Sequence, residues 1–67
     1  MNDILLWRKT ARIILLLSQR LGVNASRAMD IFYASRTCTL LHTPNSGLQL
    51  MSDAYVADEV IMEQYIA

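Results

Sequence analysis

Apolar residues recur at three- and four-residue intervals through the first third of the chain, a spacing that predicts one long helix from about Asp3 to Leu21. Asn2 or Asp3 supplies a cap for its first N–H groups, no Pro or Gly interrupts it, and Gly22 follows as a stop. At about 100° per residue, Leu6, Trp7, Ile13, Ile14, Leu17 and Leu21 share one arc, while Arg8, Lys9, Arg12, Gln19 and Arg20 share the other. The first arc is the expected core face. Leu5 and Leu16 break the pattern by projecting among the basic side chains, and Ile4 and Leu15 lie on the flank. That is more apolar surface than one core-facing stripe requires.

A second helix is expected from the cap Asn24 to about Ser35, with Ala28, Ile31 and Phe32 inward and Met29 and Tyr33 at the edge. Thr37 restarts a short helical turn through Leu40 and Leu41. His42-Thr43-Pro44-Asn45-Ser46-Gly47 carries turn chemistry at nearly every position and reads as a surface loop. Leu48-Gln49-Leu50 alternates like a brief extended piece, too short to define a sheet. Ser52 caps a last helix through about Tyr65, with Asp53 placed at the positive end of its dipole. Val56 and Val60 fall on one side of that helix and Tyr55, Ile61, Met62 and Tyr65 on another, a mixed pattern that predicts a sandwiched helix. No internal repeat or low-complexity tract interrupts this order. The sum is a single all-α domain over residues 1–67, a compact unit of three or four helices with the first central and the last packed across it.

Size and composition sharpen this picture. Sixty-seven residues, 54% of them hydrophobic and with no net charge, exclude a second domain and a disordered chain. The longest apolar run, Ile13 to Leu17, is far below the roughly 20 residues a bilayer span needs. Near the N-terminus Asp3 stands where a secretory signal carries positive charge, so a cytoplasmic setting is expected. The single cysteine, Cys38, leaves the fold without an internal disulfide. A domain this small hides only about 60% of its unfolded surface, so dense helix packing, a partner chain or both must hold it together. Charge is segregated although it sums to zero. All six basic residues lie before Thr37 with only Asp3 and Asp30 against them, a balance of +4, and Asp53, Asp58, Glu59 and Glu63 give the remainder −4. The plain consequence is the last helix docking on the first, with Asp58 paired to an arginine there; the sharper one is a contact between chains.

Candidate chemistry is sparse. Cys38 and His42 are four apart, the spacing of two metal ligands or of a thiol beside its base. No other Cys or His exists to complete a site, so the pair reads as a small buried cysteine and a loop-edge histidine. Asp58, Glu59 and Glu63 form a solvated acidic face rather than an acid pair for catalysis. Met29, Met51 and Met62 read as gap fillers in the core. The sequon Asn24-Ala25-Ser26 is empty without secretion, and no Gly-rich phosphate loop is present. No enzymatic activity, cofactor, metal or small-molecule substrate is inferred.

Leu17 to Asn24 followed by Ala28 and Ile31 looks like a helix-turn-helix, or an ordinary helical corner. Read as a DNA-binding element over residues 24–35, it offers Ser26 and Arg27 to nucleic acid, against Asp30, Tyr33 and Ala34. That face is poor in the donors that read bases, and a neutral chain disfavours a polyanion partner.

Ala28-Met29-Asp30-Ile31-Phe32-Tyr33-Ala34-Ser35, then Leu40-Leu41, the Pro44 to Gly47 turn, Leu48, and Ser52-Asp53-Ala54-Tyr55 leading into Asp58-Glu59 resemble a family of short bacterial proteins, the domain of unknown function 3791. The similarity covers nearly the whole chain and contains no catalytic signature. It implies a small, mostly helical cytoplasmic bacterial protein, and an antitoxin-like or accessory role, since genes of the family often lie beside others similar to ADP-ribosyltransferase-like toxin candidates. The functional expectation is a protein-interaction module, homo-oligomeric or binding the product of a neighbouring gene, through Leu5 and Leu16 with the basic rim of Arg8, Arg12 and Arg20.

Overall fold

The computed structural model describes residues 3–43 and 45–66, apart from the side chains of Asp3 and Ile66. Helix α1 spans Asp3–Leu21, α2 Ala25–Tyr33, α3 Arg36–Leu41 and α4 Asp53–Ile66, with a 3-10 turn at Leu48–Leu50 before α4. The described residues contain no strand. The cap expected of Asn2 or Asp3 and the turn residue Pro44 lie outside the described set.

Side chains that satisfy orphan N–H groups set the helix starts. Asn24 Oδ1 accepts from the Arg27 N–H at 2.8 Å, Ser35 Oγ from the Cys38 N–H at 3.1 Å, and Ser52 Oγ from the Tyr55 N–H at 3.1 Å. Ser35 stands in an extended conformation (φ −84°, ψ 152°), which ends α2 at Tyr33 and starts α3. Gly22 turns the chain out of α1 at φ +66°, a backbone region that side chains disfavour. There the Val23 N–H reaches Ser18 O at 3.2 Å and the Ser18 hydroxyl donates to Val23 O at 2.6 Å.

The core is built where the helices converge. Ile13, Ile14 and Leu17 of α1 meet Ala28 and Phe32 of α2, Cys38 and Leu41 of α3, and Val56, Ala57 and Val60 of α4. Each large side chain buried here contributes about 1.5–3 kcal/mol. Helix α1 packs against both α2 and α4, and α3 contacts α2 and α4. The opposite charges meet across the α1–α4 seam: Lys9 Nζ and Arg12 Nε hold the two oxygens of Asp53 at 3.0 and 2.6 Å, and Arg20 pairs with Asp58.

Four expectations need correction. Leu48–Leu50 is a 3-10 turn and not extended: Gly47 at φ +84° reverses the chain, and the Leu50 and Met51 N–H groups fold back onto Gly47 O and Leu48 O at 3.1 Å. Trp7 is 78% exposed instead of core-facing, because it sits at the margin of the α1 arc, beyond the reach of a nine-residue α2. The second apolar face expected of α4 is covered only in part, with Ile61 half-buried against the core. Val56, Ala57 and Val60 go into the core, while Tyr55, Met62 and Tyr65 face away from it and are exposed. Met29, Met51 and Met62 are likewise exposed rather than filling gaps in the core.

Candidate functional site

One flank of α1 carries apolar residues that no other helix covers. Ile4, Trp7, Ala11 and Leu15 lie along this flank, next to the buried arc of Thr10, Ile14 and Leu17. The short α2 runs alongside and contributes Met29 and Tyr33, both at the margin of its buried face. Between the two helices lies an open groove of about 520 Å³. Leu6, Trp7, Thr10, Ala11, Ile14 and Leu15 form one wall and the floor, Met29 and Tyr33 the other wall, and His42 one end.

The groove is apolar, with few polar groups to orient a partner. Thr10 is buried on its floor, and its hydroxyl oxygen is the one buried side-chain polar atom without a hydrogen-bond partner among the described residues. A buried hydroxyl left unpaired is destabilising, so Thr10 is a position where local stability was not optimised.

The residues expected to form the interaction surface are divided by the structure. Leu5 is 60% exposed, but Leu16 is half-buried and packs against the core. Arg12 and Arg20 are occupied by Asp53 and Asp58 of α4. Arg8 is exposed and enters no ion pair among the described residues. The flank of α1 that lines the groove is therefore not the one carrying Leu5 and Leu16; it carries Trp7 and Leu15. Sequence reasoning placed Leu15 on a flank and Met29 and Tyr33 at an edge. It missed the groove because periodicity assigns Trp7 to the core arc without giving the length of the helix opposite.

Cys38 and His42 do share a face, with Sγ 4.0 Å from Nδ1. The same ring nitrogen lies 3.0 Å from the Cys38 carbonyl oxygen, which only accepts, so Nδ1 donates there and is not a base for the thiol. Burial pushes the Cys38 thiol above its ordinary range, the opposite of an activated nucleophile. Among the described residues no group of three or more His, Cys, Asp or Glu is placed to hold a metal ion.

Two carboxylates have lowered pKa values. The Arg12 guanidinium holds Asp53 low, aided by Lys9 against a modest burial cost. Burial pushes Glu63 up, but the Thr37 hydroxyl and the backbone N–H groups of Arg36 and Thr37, at 2.8 and 2.9 Å, outweigh it and leave it below its ordinary range. Both groups tie α4 to its neighbours, and neither faces the groove.

On α2, Ser26 and Arg27 are exposed, together with Met29, Asp30 and Tyr33. No helix among the described residues is long and apolar enough to cross a membrane. No protein-family model, curated protein or solved structure matches this chain.

Proposed function

We propose that this chain is a protein-interaction module, and that it associates with a second copy of itself through the groove between α1 and α2. The observation that carries the reading is the groove itself. Trp7 and Leu15, 78% and 57% exposed, stand beside exposed Met29 and Tyr33 on one continuous concavity. A 67-residue domain has little interior with which to offset the hydration of that surface. Covering it removes large aromatic and aliphatic side chains from water, which is the main source of association energy.

A neutral chain supports self-association, since copies do not repel through net charge. The antitoxin-like or accessory role implied by the resemblance to domain of unknown function 3791 is a wider form of this proposal, in which a neighbouring bacterial protein fills the groove. A cytoplasmic setting belongs to it too, supported by one free thiol. The helix-turn-helix reading gains no support: Arg27 is the one basic residue of α2, and Asp30 stands exposed on the same helix.

Light scattering at increasing protein concentration tests the proposal. Wild type is expected to gain average mass with concentration, and Leu15→Asp to remain monomeric with its helical content intact. Association unchanged in Leu15→Asp contradicts a role for the groove.

A further inference from the structure

We infer that the groove is filled by the outer face of α4 from a second copy, in a head-to-tail contact; this rests on the self-association proposed above. The groove has the form that accepts an amphipathic helix, and such helices present anchors about one and two turns apart on one face. Tyr55, Met62 and Tyr65 provide this arrangement: they fall within an arc of about 80° at 100° per residue, all three exposed and on the side of α4 away from its own core.

Charge favours the same pairing. Arg8 borders Leu15 at the rim of the groove, outside its lining, with no ion pair among the described residues. The helix proposed to enter carries Asp58 and Glu59 beside its apolar anchors, and the Asp58 side chain is still 62% exposed despite its pairing with Arg20. A contact of groove against groove is less favourable, because it opposes two concavities and leaves voids that a close-packed interface excludes. A convex helix fills the space. The entering tyrosine rings meet an apolar lining, with His42 as its exposed polar residue.

On one copy, α4 docks against the Lys9 and Arg12 side of α1 and the groove lies on the other, so donor face and acceptor groove point apart. Such a contact does not close on itself in a dimer but continues from copy to copy.

Sedimentation velocity on the full chain separates the possibilities, using Leu15→Asp to block the groove and Met62→Asp to block the α4 face. Both positions are exposed, and circular dichroism checks that each variant is folded, with Tyr65→Asp as a second face variant. Wild type is expected to pass beyond dimer as concentration rises, each variant alone to stay monomeric, and their equimolar mixture to form a heterodimer and nothing larger. Self-association of Met62→Asp and Tyr65→Asp at wild-type strength overturns the head-to-tail contact while leaving self-association standing. A mixture that stays monomeric, beside a wild type that associates, overturns it too. A wild type that is monomeric throughout removes both readings.

Discussion

Glu63 does more for the fold than its place in an acidic stretch implies. Its carboxylate spans the start of α3, accepting from the N–H groups of Arg36 and Thr37 and from the Thr37 hydroxyl. Because its folded pKa lies below the ordinary value of 4.5, the stabilisation is complete above that value and is lost as pH falls through the folded pKa. Asp53 behaves with the same sign below its ordinary 3.8. Urea denaturation across the acid range is expected to show stability falling below about pH 4.5 in the wild type, and Glu63→Gln to flatten that decline. An unchanged acid limb in the variant would remove Glu63 from the account. Thr10 gives a second prediction at this scale. Thr10→Val replaces an unpaired buried hydroxyl with a methyl group of similar shape and is expected to stabilise the chain by about 1 kcal/mol in the same assay. The sequence marks neither role. Glu63 looks like any solvated acid of a helix, and the pairing of Thr10 depends on neighbours that only the packed structure supplies.

Among the elements, the parts with local causes were legible and those set by tertiary packing were not. The starts of α2 and α4 follow from Asn24 and Ser52, whose capping bonds depend on residues three positions away. Gly22 marks the end of α1 for a similarly local reason. Asn24→Ala is therefore expected to cost about 1 kcal/mol in thermal or chemical unfolding, by freeing the Arg27 N–H. A cost near zero would show that water replaces the cap without loss. The sequence pattern extends the second helix to about Ser35, although Ser35 caps the third, because serine is compatible with either place and the choice is made by the backbone turn at Ala34 and Ser35. Leu48-Gln49-Leu50 misled because three alternating residues fit a strand and a tight turn equally. Its conformation is set by Gly47 and by Gln49, whose side-chain amide donates to Leu41 O at 3.0 Å.

For the molecule as a whole, an all-α unit with α1 at its centre and α4 drawn to it by charge was readable, since both follow from periodicity and from the segregation of acids and bases. A surplus of apolar surface was also readable, but its location was not. Leu16 is half-buried because α4 packs on that side of α1, while Trp7 is left in water because α2 is short. Which side of a central helix stays uncovered depends on the lengths and placement of its neighbours, which one-helix periodicity does not contain. That uncovered side is the basis of the proposed function, and sedimentation equilibrium of the unmodified protein tests it most directly. The account predicts an average mass that starts near 7.6 kDa at low micromolar concentration and climbs as the protein is concentrated. A mass fixed at 7.6 kDa up to millimolar concentration would contradict it.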